Sequence, residues 1–255
     1  MNSKTLERWS PLLLFVVLVV LWQVLCTVLA VPEFIFPSPL KITQALAEFT
    51  GPIALAAWQT FWVTLVGFGL SIVVGVLLGF LVGSTRIAYA AVFPLLVAFN
   101  AVPKAAIVPI LVVWFGIGIG PGILTAFLIS FFPITVNMAT GLATLEPELE
   151  DVLRVLGAKR SDVLLKVGLP RSLPYFYASL KVSITLAFVG TVLAEMTAGD
   201  SGIGYLMQSA GSQQRLALAF AGLVVIGAMA MAMYELFSYI EKHTTAWAHR
   251  GSQNE

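Results

Sequence analysis

Two stretches of this chain are too long and too bare of charge to lie on the surface of a soluble protein. Phe49 through Thr85 is a run of 37 residues without Asp, Glu, Lys or Arg, and Ala105 through Leu145 is a second run of 41. A helix crosses the ~30 Å hydrocarbon layer with ~20 apolar residues, so the first run exceeds one span and the second is twice one. Charged residues make up 11% of the chain, against roughly a quarter in an ordinary soluble domain. That is too little charge to coat a water-soluble fold, and the fold class expected is an all-α membrane protein.

The other apolar runs complete a set of six spans, expected at about 11–30, 58–83, 88–115, 121–143, 175–196 and 216–240 within one transmembrane domain, 1–255. The first run, Pro11 to Ala30, is longer than the ~7–15 residues of a cleaved signal core and reads as a span. Val31 to Pro39 holds three prolines in nine residues and is not regular helix; a short interfacial helix is expected from Leu40 to Phe49. Trp58 and Trp62 mark the entry to span two, leaving the preceding uncharged residues to an outer loop and turn. Gly75, Gly79 and Gly83 share one face of that span, where small residues let helices approach closely. Spans three and four should form a hairpin around the breaker Gly116 to Gly122.

Between spans four and five lies the one densely charged segment, Glu146 to Arg171. Leu149, Val152, Leu153 and Leu156 fall at i, i+3, i+4, i+7, the apolar face of a short helix expected to pack on the inner ends of the bundle. Gly157 is placed to end that helix at positive φ. Ser161 and Asp162 can cap a second short helix through Val167, and Pro170 should stop it. Counting Lys and Arg with the N-terminus inside gives ten in the inner segments and two, Lys41 and Arg215, in the outer loops. By the positive-inside rule both termini and the 146–171 element are expected in the cytoplasm.

Polar residues within the spans are candidates for a pathway: Asn100, Lys104, Asn137, Glu195 and Gln208. Each has an alternative in a local hydrogen bond or in snorkelling to the interface. Lys104 and Glu195 are expected to pair, because Lys181 lies 14 residues from Glu195, ~21 Å along a helix, too far to pair within one copy. Cys26 is the single cysteine, and His243 and His249 sit near the polar C-terminus, so no metal site is expected. No phosphate loop of the form G-x-x-x-x-G-K-[ST] occurs, and no Ser/His/Asp set lies in the spans, which argues against an intramembrane enzyme. Net charge of +1 suggests no nucleic-acid partner. An ion-coupled carrier remains open, since proline-broken spans and buried charges serve such proteins.

The charged segment resembles the cytoplasmic loop of binding-protein-dependent ABC importer permeases: Glu-Ala-Ala, three residues, Gly, nine residues, Ile, any residue, Leu-Pro. Gly157, Val167 and Leu169-Pro170 stand at those places, with Asp151-Val152-Leu153 where the family has Glu-Ala-Ala. Phe36 to Pro39, Pro103 to Gly118 and Glu195 to Met207 are similar to segments of the nitrate/sulfonate/taurine-type permeases. The resemblance implies a six-helix permease in the bacterial inner membrane that pairs with itself. Two cytoplasmic ATPase subunits, carrying ATP and Mg, would sit beneath the pair, and a periplasmic or lipid-anchored solute-binding protein above. It implies no enzyme activity and no cofactor in this chain. Docking and coupling to the ATPase would fall on Asp151, Arg154, Gly157, Ala158, Ser161 and Pro170. The solute implied is a small organic or inorganic anion such as a sulfonate or nitrate, with a pyrimidine or flavin vitamin precursor as the alternative.

Overall fold

The computed structural model describes residues 3–144, 152–153 and 155–245, and all its regular elements are helices. In chain order these are α1 (Ser3–Val28), α2 (Pro39–Glu48), α3 (Thr50–Gly83), α4 (Arg86–Ala101), a 3₁₀ turn (Lys104–Ile107), α5 (Val108–Phe115) and α6 (Ile119–Ala143). After the charged segment come α7 (Arg160–Val163), a π turn (Leu164–Gly168), α8 (Leu169–Ala198), α9 (Gly202–Ser212) and α10 (Leu216–Thr244). Asp151 and Arg154 lie outside the described residues.

The core is a seam between α3 and α6. A Cβ added to Gly67, Gly75, Gly79 or Gly83 would sit 2.6–2.9 Å from the Cβ of Ala126, Ile134, Met138 or Leu142 respectively. Side-chain carbons never approach that closely, so the two helices touch backbone to side chain along four turns and more. Each partner lies 59 residues further along, as does Ser130, whose hydroxyl is 2.6 Å from that of Ser71. A constant offset means that the helices run parallel and in register. Parallel neighbours force the chain between them to recross the bilayer. That crossing is made by α4 and by the turn with α5, two pieces bent by 71°. Six crossings result: five continuous helices and one broken span.

α8 packs antiparallel on both, with Gly190 against Ala126 and Ser172 against Gly141. α10 then lies on α8, where Lys181 and Glu241 form an ion pair of 2.7 Å. At the opposite end Gly222 meets Met207 of α9. α1 is peripheral, touching the bundle near Trp22, whose ring lies 5.2 Å from Phe36 and 6.4 Å from Phe220. The start of α1, the ends of α6 and α10 and the start of α7 therefore share one side of the bundle.

Three sequence expectations change. The first uncharged run contains no outer loop before Trp58: α3 starts at Thr50 and is 34 residues long. At 1.5 Å per residue it spans about 51 Å, longer than the ~30 Å hydrocarbon layer, so its leading turns carry the helix past the bilayer without a loop. Pro170 does not stop a helix. The π turn places the Leu169 N–H on the Leu164 carbonyl, five residues back, and Pro170 enters at the first turn of α8, where a missing N–H costs nothing. Ser161 and Asp162 lie inside α7, not at its cap, and Asp162 bridges to Lys166 at 3.0 Å. Lys166, through its hydrogen bond and then its charge, holds the Asp162 carboxyl below its ordinary value.

The seam yields a stability test. Gly79→Leu should cost at least the ~1–3 kcal/mol of core overpacking, because the Met138 Cβ and the Thr135 carbonyl cannot both retreat. Gly69, with open space where its Cβ would be, should accept Leu with little loss. Thermal unfolding of the detergent-purified variants measures both. A Gly79→Leu protein as stable as Gly69→Leu would contradict the parallel seam.

Candidate functional site

The end of the bundle where α8 passes into α9 is organised by Glu195. Its side chain is 8% exposed and lies between α3, α8 and the start of α9. The Thr60 hydroxyl donates to both carboxylate oxygens at 2.9 Å, and the Gly204 N–H donates to Oε2 at 2.8 Å. The Ile203 N–H donates in turn to Thr60 Oγ1 (2.8 Å), and the Gly202 N–H to Gln59 Oε1 (3.1 Å). A helix N-terminus leaves its first N–H groups without intrahelical partners, and in a dry setting each must be met. Here the three leading donors of α9 are met by one side chain each, two from α3 and one from α8. Negative charge at this end is also favoured by the helix dipole. Gly202 has φ +89, and a Cβ there would run into the Glu195 carboxylate. The run Glu195 to Gly204 is thus one folded cap.

Lys104 is elsewhere. It sits at the bend of the broken span, where its ammonium donates to the Asn100 carbonyl and to Asn100 Oδ1, both at 2.6 Å. The expected Lys104–Glu195 pair is not formed, because the cap consumes the carboxylate and the bend is held at another depth. Phe99, beside the bend, stacks edge-on against Phe131 at 5.8 Å, and Phe131 is the central residue of α6. The bend therefore lies close to the level of the middle of α6, not at the end of the bundle that holds Glu195. A charge at that depth facing lipid costs ~2.5–3.5 kcal/mol on insertion scales. Asn100 is exposed on the single chain and Lys104 is partly so. Asn137 donates to the Pro133 carbonyl in its own helix (2.8 Å), a local bond. Gln208 is exposed on α9.

Sequence reasoning missed Gln59 and Thr60, and with them Thr64, which donates to Thr191 Oγ1 of α8 (2.9 Å). The signal was present: Thr60, Thr64, Gly67, Ser71, Gly75 and Gly79 recur at 4, 3, 4, 4, 4 along α3, and all are buried.

At the opposite end of the bundle from Glu195, the corner at Gly157 is a helix C-cap. The Ala158 N–H donates to the Leu153 carbonyl (3.0 Å), the six-to-one bond of a Schellman motif, with Gly157 at φ +88. Of the expected apolar face, Leu149 lies outside the described residues and Leu153 is half-buried, but Val152 and Leu156 do not pack on the bundle: they are 56% and 77% exposed, as is Val155 at 86%. Leu153, Leu156, Gly157, Ala158, Val163 and Val167 line a groove of about 290 Å³. Val163, 2% exposed, forms the floor of this groove, while Leu156 stands open at its rim.

Glu195→Ala should lower the melting temperature of the purified protein by the equivalent of ~1–3 kcal/mol, the cost of stranding a buried donor. Glu195→Gln, whose amide can still accept from Gly204 and donate to Thr60, should recover most of that loss. Equal effects of Ala and Gln would contradict the capping role.

Residues 71–245 match the family described as the binding-protein-dependent transport system inner membrane component. A probable ABC transporter permease protein of Haemophilus influenzae is 35% identical over 94% of this chain and 97% of its own length. The formylaminopyrimidine transport permease protein ThiX of Halalkalibacterium halodurans is 27% identical over 96% and 98%. A putative aliphatic sulfonates transport permease protein of Bacillus subtilis is 27% identical over 92% and 86%. Among solved structures, the inward-facing MetNI methionine ABC transporter matches with a TM-score of 0.68 at 19% identity, over 77% of this chain and 98% of that one. The fold is shared with that transporter, and the chain belongs to the multi-pass inner-membrane permeases of binding-protein-dependent ABC importers.

Proposed function

We propose that this chain works as one half of a translocation pathway, moved by a separate ATPase that docks on the 146–171 element. The observation that carries this reading is the corner at Gly157: a rigid C-cap presenting Val152, Val155 and Leu156 to the surroundings on the side where the termini lie. Exposed apolar side chains rimmed by charge mark a protein contact. ATP and Mg belong to that partner, and this chain supplies shape. The second half of the pathway is a second copy. Tyr175, Ala178, Val182, Thr185 and Val189 recur at 3, 4, 3, 4 on the open face of α8, a seam able to meet its own image about a two-fold axis.

On the opposite side, Glu33, Lys41, Glu48 and Arg215 rim a notch of about 610 Å³ between α2 and the α9–α10 turn. This mixed-charge rim suits a soluble binding protein that delivers the solute. The solute we favour is a small anion, sulfonate-like or nitrate-like, on the likeness to the sulfonate permeases. The likeness to ThiX favours a pyrimidine vitamin precursor as the second reading. An ion-coupled carrier loses its main support, because Glu195 is committed to the α9 cap.

Orientation is tested with single cysteines at Ser161 and Ser201 in a Cys26→Ser background, labelled by an impermeant thiol reagent outside intact cells. Cysteine at 201 should react and cysteine at 161 should not. The reverse would overturn the cytoplasmic placement.

Coupling is tested by ATP hydrolysis of the reconstituted complex, with and without liganded binding protein, beside a pull-down of the ATPase. A β-branched residue at φ +88 is strained by ~1–3 kcal/mol and re-aims the segment that follows. Gly157→Val should insert normally yet lose stimulated hydrolysis and uptake. Asp151→Asn should weaken both in part, since an exposed ion pair contributes ~0.2–1 kcal/mol. Normal stimulation in Gly157→Val would remove the coupling role.

A further inference from the structure

The bend of the broken span poses a problem that the fold does not solve within one chain. Val102 and Pro103 lie outside any helix, three and four residues past Phe99, which stacks on Phe131 at the midpoint of α6. Backbone in this state is not stable against lipid, where N–H and C=O groups have nothing to bond; it survives where it meets protein or lines water. Asn100, Ala101, Val102, Pro103, Ala105 and Ala106 are all exposed on the single chain. The 3₁₀ turn and α5 pack on α6 and α8, so the bend borders the open face of α8. Lys104 stands in the middle of this bare patch. Among the described residues no carboxylate neutralises it, and Asn100 takes two of the three N–H donors of its ammonium.

We propose that this bend is an anion-binding station on the pathway, in which the Lys104 ammonium receives the negatively charged group of the solute and Asn100 keeps the ammonium in place between passages. This rests on the reading that two copies pair around the pathway. Pairing along α8 brings two bends, and so two lysines, to a common cavity at mid-depth. There the surrounding low-dielectric walls strengthen the field of each. A lysine is a compact point charge with rotatable donors, suited to an oxyanion of unfixed geometry such as a sulfonate, nitrate or carboxylate. The Asn100 oxygens compete with the anion for the same protons, so the station holds a passing solute without trapping it. An aqueous cavity carrying two fixed positive charges also disfavours cations.

The test uses the full complex, permease with ATPase and binding protein, carrying Cys26→Ser and Ala105→Cys. Ala105 is exposed beside Lys104. Two impermeant thiol probes are compared, anionic 2-sulfonatoethyl methanethiosulfonate and its cationic trimethylammonium counterpart. Rates are taken at rest and during ATP turnover, each normalised to a free thiol in solution. The anionic probe should be favoured by about tenfold or more, the lower end of what charge focusing in a cleft gives. Lys104→Gln should erase the preference and Lys104→Arg should keep it. Lack of reaction with either probe in both conditions would overturn the proposal, because the bend would then not face water. A preference unchanged by Lys104→Gln would overturn it as well. Failure of the ATPase to co-purify would instead count against the coupling reading, and the probe ratio on the permease alone would still decide the role of the bend.

Discussion

The approach of α3 to α6 is the constraint from which the rest of the bundle follows. Four glycines on α3 let two helices run parallel at a contact distance that no larger residue allows. Dispersion contacts, individually tiny, add up over such a seam, which matters in a lipid setting where apolar burial offers no net gain between helices. Parallel direction has a topological consequence. The 35 residues from Ser84 to Gly118 must carry the chain back across the bilayer, and they do so in two pieces bent at Pro103. The weakest-looking part of the fold is thus a requirement of its strongest part.

Polar groups within the seam are treated as strictly as the packing. Ser71 and Ser130 share a hydrogen bond, Thr64 and Thr191 another, and the first three N–H groups of α9 are met by Gln59, Thr60 and Glu195. Such bonds contribute modestly in membrane helices, on the order of 0.6 kcal/mol each, but leaving any donor unmet would cost more. Satisfaction and proximity together make α3, α6, α8 and α9 one body. The Lys181–Glu241 pair ties α10 to it farther in.

What could be read beforehand followed the range of the physics. Lipid demands a run of apolar residues, a local property, so the six crossings and the glycine face of α3 were visible in the sequence. So was the positive φ of Gly157, because a helix must end where its apolar period breaks. The start of α3 was not, since hydropathy cannot tell an uncharged helix that rises out of the bilayer from an uncharged loop. Nor could spacing reveal that Glu195 would be claimed by Thr60, 135 residues away. Lys104 and Glu195 were matched as opposite charges in an apolar setting. The structure offered the acid a helix N-terminus first, and the Gly204 N–H with the Thr60 hydroxyl took the place of a lysine. Pro170 misled because the rule against proline assumes an α-helical turn before it.

That preceding turn sets an angle. A π turn holds one more residue than an α turn would, and each residue advances ~100° around a helix axis. With the bulge between Leu164 and Gly168, the groove at Gly157 and the seam of α8 stand at one particular bearing to each other. Were the bulge to relax to α geometry, the corner would swing by more than a quarter of a revolution relative to α8, with no change in either helix. The aim of the corner at Gly157 is in this sense a matter of phase, stored in the five residues that lead into α8.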